Sequence, residues 1–228
     1  MRILTANLFS SRADPVALVE ILQRASVDVA CVQELGVELA TAVSSVLPHG
    51  WLAPNRQNRG LGIATRLAAR TTSLELPKRD AVIALLSPAE WPTLRTPVEI
   101  VNWHVMAPHT WPYFPNRNRR SEQLRRMLEH LNSSPDIPRA LLGDYNATPT
   151  WPLYKTLARR MHDAASLAPG GDPGNTWPVI PGLPGGLFRI DHCLVSGLDC
   201  AEVESILIPG SDHRGLLVDL HLPPYQAG

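Results

Sequence analysis

An α/β layered fold, with two β-sheets packed together beneath outer helices, is what these 228 residues predict. Three observations carry it: short apolar runs of strand length recur along the chain, helical periodicity lies between only some of them, and the end of the chain is mostly strand. Most of the runs are continuously apolar, which fits strands covered on both faces.

The runs fall near 2–8, 27–33, 60–65, 81–86, 98–105, 139–143, 189–196, 202–208 and 215–221. Asp14-Pro15 supplies a cap and a first-turn proline, and Val16, Val19, Leu22 and Ala25 then recur at helical spacing. Two strand–helix units therefore open the chain. From Asn116 to Leu131 a second periodic segment puts Leu124, Met127, Leu128 and Leu131 on one stripe, opposite an arginine-rich face. Two segments, 107–115 and 169–186, resist regular structure. They carry Trp111 and Trp177 among prolines and glycines, side chains a flexible linker has no use for, so they are expected to line a surface cleft. Without repeats or low-complexity tracts, the whole of 1–228 reads as one domain.

At 44% hydrophobic and 18% charged, the chain can bury a core, which excludes wholesale disorder and fibrous architectures. Lys+Arg and Asp+Glu both total 21, and this zero net charge argues against a surface built to grip long polyanions. All the basic residues except Lys78 and Lys155 are arginine. Cys31, Cys193 and Cys200 are odd in number and lack metal-ligand spacing, so neither a disulfide framework nor a cysteine zinc site is expected. No apolar run approaches the roughly 20 residues of a membrane span. Met1-Arg2 leads straight into the first apolar run without a cleavable signal pattern, and a soluble, cytoplasmic monomer is expected.

Several strand ends carry acids, amides or histidines that an apolar core would not choose: Asn7, Gln33-Glu34, Asn102 with His104, Asp144 with Asn146, Asp191-His192 and Asp212-His213. Side chains alternate along a strand, so Asn102 and His104 share a face, as do Asp144 and Asn146 if the strand continues. Their ends can meet at one edge of the sheets. Glu34 and the other carboxylates are hard oxygen donors suited to Mg²⁺ or Mn²⁺. A divalent ion at Glu34 suits phosphoester chemistry, with His213 taking a proton or holding the phosphate and Asp191 fixing its tautomer. Asp144 suits a water-orienting role and Asn146 a donor to a phosphate oxygen, although both also fit a simple turn cap. Arg117 and Arg120 read either as phosphate contacts or as a solvated helix face. Trp111, Tyr113 and Phe114 read either as stacking surfaces or as loop anchors.

Six segments match a known family in its order: Thr5-Ala6-Asn7-Leu8, Val32-Gln33-Glu34, Asn102-Trp103-His104, Leu142 to Pro149, Arg189-Ile190-Asp191-His192 and Gly210 to Arg214. On these the chain resembles the endonuclease/exonuclease/phosphatase superfamily, with its DNase-I-like fold, over residues 5 to 214. The resemblance implies a four-layered sandwich of two packed mixed sheets flanked by outer helices. It implies Glu34 as the main metal ligand, with Asn7 and Asp212 close to the metal. It further implies catalytic roles for His104, Asp144, Asn146, Asp191 and His213. By the same resemblance His104 occupies the position where many members carry a histidine near the leaving group and AP endonucleases tend to place a tyrosine, which sets the chain apart from that branch.

The function expected is a Mg²⁺-dependent phosphoesterase, with Mn²⁺ as a substitute, acting on a phosphodiester or phosphomonoester through activated water and without a covalent intermediate. The alternatives are a DNA nuclease or AP endonuclease, and a catalytically inactive relative that binds a phosphorylated ligand or a protein. Trp111, Trp177, Arg117 and Arg120 are the expected substrate contacts. Neutral charge and aromatic cleft loops favour a small or lipid-linked phosphoester over duplex DNA, with nucleic acid left open.

Overall fold

The computed structural model describes residues 1–56, 58–108, 113–133, 136–180, 182 and 185–224. Among these the elements run β1 (Arg2–Asn7), α1 (Pro15–Arg24), β2 (Val29–Gln33), α2 (Val37–Val46), β3 (His49–Ala53), β4 (Leu61–Thr65), β5 (Arg70–Leu74), β6 (Ala81–Leu86) and β7 (Val98–His104). They continue with α3 (Tyr113–Ser133), β8 (Arg139–Asp144), α4 (Pro152–Ala158), β9 (His162–Asp163), α5 (Ala164–Leu167), β10 (Asp191–Ser196), β11 (Asp199–Leu207) and β12 (Arg214–His221). Two six-stranded sheets result, ordered β11-β12-β1-β2-β4-β3 and β5-β6-β7-β8-β10-β9. Both are mixed, because β1–β2 and β7–β8 pair parallel while their other neighbours pair antiparallel.

Three apolar clusters separate four layers. Between the sheets lie Ile3, Val29, Cys31, Ile100, Leu142 and Val195. Leu4, Ala30 and Val32 turn the other way, onto Leu18 and Leu22 of α1 and Leu39 and Val43 of α2. On the far side Val101, Trp103 and Leu141 pack against Met127 and Leu131 of α3 and Leu153 and Leu157 of α4. The expected α/β sandwich is the observed fold.

The inner faces explain where the polar residues go. Following every second residue gives Ile3-Thr5-Asn7, Val29-Cys31-Gln33, Val98-Ile100-Asn102-His104 and Ala140-Leu142-Asp144, while β10 starts with Asp191 before Cys193 and Val195. Each series is apolar in the middle of the sandwich and polar at the same edge. Gln33 and Asn102 stop short of that edge and tie the sheets together. Gln33 Nε2 donates to Asn102 Oδ1 at 2.7 Å, and Asn102 Nδ2 donates to the carbonyls of Val32 at 3.0 Å and Gly62 at 2.8 Å. Both are fully buried, so Asn102 serves the core rather than the open edge.

Three strands escaped the sequence reading. β3 and β5 are edge strands with mostly exposed side chains, so they show no apolar run, and β9 has two residues. Cys31, Cys193 and Cys200 are free and buried. Among the described residues no helix is long and apolar enough to cross a membrane.

Candidate active site

Left-handed backbone shapes the open edge. Phe9, Ser10 and Ser11 after β1, Glu34 after β2 and Asn146 after β8 all have φ between 46 and 67° without being glycine. Such residues cost on the order of 1–3 kcal/mol each and gather where function requires an unusual geometry. Here the run at 9–11 wraps one carboxylate. Ser10 donates to Glu34 Oε2 from its backbone N–H at 2.7 Å and its hydroxyl at 3.0 Å, and Ser11 N–H donates to the Glu34 carbonyl at 3.1 Å. Glu34 Oε1 remains, 3.9 Å from His104 Nε2.

Asp144 sits at the centre of a hydrogen-bond cage. Its Oδ2 accepts from Asn7 Nδ2 at 3.1 Å and Asn146 Nδ2 at 3.0 Å and lies 3.3 Å from His104 Nε2; its Oδ1 accepts from Asn146 N–H at 2.8 Å. Burial pushes this carboxyl up, yet the His104 contact and the charge of His213 outweigh burial and hold it well below the usual range. For His104 burial dominates. With the positive charge of Arg79, it outweighs Asp144 and Glu34 and keeps the imidazole below its ordinary value, in the neutral direction.

Asp191 and His213 form the second pair. His213 Nδ1 lies 2.9 Å from Asp191 Oδ2, which fixes the ring with Nε2 on the other side, 4.0 Å from Asp212 Oδ1. Ser211 Oγ accepts from His213 N–H and donates to the Asn7 carbonyl, linking the β12 entrance to β1. Thr176 Oγ1 takes the N–H groups of Ile190 and Asp191. Burial pushes His213 down, but Asp191, with Asp144 and Asp212, prevails and lifts it to about 9. At neutral pH this imidazole is therefore a cation.

Asn7, Ser10, Glu34, Arg79, His104, Asp144, Asn146, Asp212 and His213 line one cleft of about 400 Å³, with Phe9, Trp151, Trp177 and Phe188 among its walls. Trp177 Nε1 donates to Asp212 Oδ2 at 3.1 Å, and its ring stacks on Phe188, centroids 6.3 Å apart. Asp212 Oδ1 and Asp191 Oδ1 are shielded from water and meet no hydrogen-bond partner among the described residues. Ligand atoms of Asp144, Asp191 and His213 lie within 4.8 Å of one another. The orphaned Asp212 Oδ1, in a cleft that Glu34 also lines, fits a hard divalent cation, for which oxygen donors are the preferred ligands.

A family model described as the Endonuclease/Exonuclease/phosphatase family matches residues 4–213. The chain belongs to that family. Solved structures of similar fold include the human Nocturnin catalytic domain with bound sulfate, 19% identical, covering 98% of this chain and 94% of that one, with a TM-score of 0.71. A mannosyl-6-phosphatase from Bacteroides thetaiotaomicron is 13% identical over 97% of this chain and all of the other, with a TM-score of 0.70. Humanized D. rerio TDP2 is 15% identical over 97% and 98%, with a TM-score of 0.75. No curated protein sequence matches significantly. Identities this low show the fold alone.

Within this member of the endonuclease/exonuclease/phosphatase family, Asn7, Glu34, His104, Asp144, Asn146, Trp177, Asp212 and His213 meet at the cleft, and Asp191 lies behind His213. Arg117 and Arg120 do not reach it. They border an adjoining groove with Leu124, Trp151 and Leu153, and Arg120 spends its donors on the carbonyls of Met106 and Asn146. Trp111, with His109, lies outside the described residues, as do the side chains of Tyr113 and Phe114. His192 is buried, its Nε2 2.8 Å from the Ala147 carbonyl. Sequence reasoning missed Phe9, Ser10, Trp151 and Phe188, as well as Arg79 from the β5–β6 turn. The Lys78-Arg79-Asp80 triplet between two strands was the only trace of the last, and an arginine-rich chain conceals it.

Proposed function

We propose that the chain is a divalent-metal-dependent phosphoesterase, using Mg²⁺ or Mn²⁺ to hydrolyse a phosphodiester or phosphomonoester by direct attack of water. The observation that carries this reading is the Asp191–His213 pair facing Asp144, Asn146 and Glu34 across one cleft. A cation held by Glu34 with Asn7 and Asp212 would offset charge on the phosphoryl and leaving oxygens. His213, charged and aimed by Asp191, binds a phosphoryl oxygen; a pKa near 9 suits a donor better than a general base. Asp144, held as the carboxylate, orients the attacking water, whose proton passes to solvent as the new O–P bond forms and the bond to the leaving oxygen breaks. Asn146 donates to a second phosphoryl oxygen. His104, its Nε2 3.3 Å from Asp144 Oδ2, acts as a positioning residue for that carboxylate rather than at the leaving group. No side chain attacks phosphorus.

The small cleft and its aromatic walls support a small or lipid-linked phosphoester over duplex DNA, and the zero net charge agrees. The mannosyl-6-phosphatase name of one fold relative is compatible with a small substrate. A complete set of acids and histidines weighs against an inactive binding relative. Free, buried cysteines suit a reducing cytoplasm, and we take residues 1–228 as one domain acting as a monomer.

The test is a turnover screen over phosphosugars, nucleotides, phospholipid headgroups and abasic and plain duplex DNA, with Mg²⁺ or EDTA, at two salt concentrations. Metal-dependent turnover, higher on a small ester and insensitive to salt, is expected. Faster, steeply salt-sensitive cleavage of duplex DNA would put a nuclease in its place. No turnover on any substrate would favour the inactive relative.

A further inference from the structure

Besides His213, the cleft holds a second cation. Arg79 lines it from the β5–β6 turn, and its Nη1 is shielded from water without a hydrogen-bond partner among the described residues. A buried charged donor left unpaired is more destabilising than a neutral one, so a fold has little reason to retain it for stability.

The turn around Arg79 is held in place. Lys78 has φ of 72°, a left-handed conformation that L side chains rarely adopt. Asp80 Oδ1 accepts from Leu76 N–H at 3.2 Å, closing the turn. Gln123 of α3, almost fully buried, donates to the Pro77 carbonyl at 3.0 Å and accepts from Met106 N–H at 3.2 Å, joining the turn to the segment just past His104. These contacts hold the backbone of the turn that carries Arg79, and among the described residues no carboxylate hydrogen-bonds its guanidinium. Its electrostatic neighbours are Glu34, Asp144 and His104, the groups around the proposed reacting centre, and the cation Arg59.

We infer that Arg79 is a phosphoryl-binding catalytic residue, whose guanidinium receives a non-bridging oxygen of the substrate on the side of the cleft away from His213. This rests on the phosphoesterase reading and adds a second fixed cation to it. An arginine fork suits an oxyanion because its donors are planar and always charged. Substrate arrival supplies the partner that the empty fold withholds.

Phosphate binding separates this inference from the question of turnover. Titration calorimetry with inorganic phosphate, in Mg²⁺, compares wild type, Arg79→Gln, Arg79→Lys and the control Arg24→Gln on exposed α1. Arg79→Gln should weaken phosphate at least tenfold, Arg79→Lys should fall between, and Arg24→Gln should match wild type. The thermal midpoint of Arg79→Gln without phosphate should be no lower than wild type, which a structural arginine would not allow. If turnover is found, kcat should fall about 10²- to 10³-fold in Arg79→Gln. Unchanged phosphate affinity in folded Arg79→Gln, or no phosphate binding by wild type, would overturn the inference. If Arg79→Gln does not fold, Arg79→Lys decides it: intermediate affinity upholds the role and wild-type affinity rejects it. Lost phosphate binding in a protein that turns over nothing would sink the phosphoesterase reading and leave Arg79 as an anion ligand.

Discussion

The parallel strands β7 and β8 carry a buried pair of ionisable residues at each end, and the two pairs are built to opposite rules. At one end Glu99 faces Arg139 in register; at the other, His104 faces Asp144. Glu99 takes Arg139 Nε and lies 3.1 Å from His130 Nε2 of α3, while Arg139 Nη1 donates to the Leu131 carbonyl at 3.1 Å. That cluster is closed on itself beneath the outer helix. At the cleft end His104 Nδ1, Asp191 Oδ1, Asp212 Oδ1 and Arg79 Nη1 lack hydrogen-bond partners among the described residues. Strand pairing alone cannot account for the difference. Face does: Glu99 and Arg139 share the outer face with Val101 and Leu141, whereas His104 and Asp144 continue the inner face to its opening.

Substitutions at the two ends should therefore fail in different ways. The largest effect is expected at the cleft. Asp191→Asn leaves His213 without its charged partner, and His213→Ala removes the phosphoryl donor. Either should lower kcat by about 10²- to 10⁴-fold in the folded variant, beyond whatever stability goes with the lost ion pair. A loss of folding with little change in turnover per folded molecule would erase the contrast.

At the closed end the order reverses. Glu99→Ala strands the Arg139 charge beneath α3 and should cost about 3–5 kcal/mol of stability, read by urea unfolding. Its kcat, measured well below the midpoint, should stay within a few-fold of wild type. A tenfold loss of kcat in the folded variant would mean the two ends are coupled through the strands.

A smaller effect concerns acid. Burial pushes Glu99 up, but the hydrogen bond with His130 and the charge of Arg139 outweigh it and place the carboxyl below the usual glutamate range. A depressed carboxyl adds stability that is complete above its unfolded pKa and is lost as pH falls through its folded one. Unfolding free energy should therefore drop below about pH 5, and Glu99→Gln should show a shallower acid limb than wild type. Parallel acid limbs would remove Glu99 from the account.

The same contrast explains what the sequence could reveal. Inner-face positions turn from Ile100 to Asn102 and His104, or from Leu142 to Asp144, and a change from apolar to polar at a fixed period is visible without coordinates. The Asp191–His213 partnership was legible too, because an acid opening an apolar strand needs a partner. β3 and β5 were hidden because edge strands turn polar side chains to water. The helix α2 could not be bounded, since Gly36 caps it without a side-chain hydrogen bond and its residues include Val, Thr and Ser. Arg79 was illegible because its distinction is a missing partner, and Arg120 misled because its donors turn onto backbone carbonyls.

The central claim is that the cleft end is kept open for a hard cation at Glu34. Glu34→Gln preserves the size of the side chain and removes its charge. The decisive measurement is kcat/KM on bis-p-nitrophenyl phosphate across a Mg²⁺ titration, for wild type and Glu34→Gln, with thermal midpoints recorded on the same samples. Wild-type turnover should vanish in EDTA and return with Mg²⁺ or Mn²⁺, and Glu34→Gln should lose roughly 10³-fold or more at an unchanged midpoint. Wild-type activity that persists in EDTA, or near-wild-type turnover by folded Glu34→Gln, would contradict the claim.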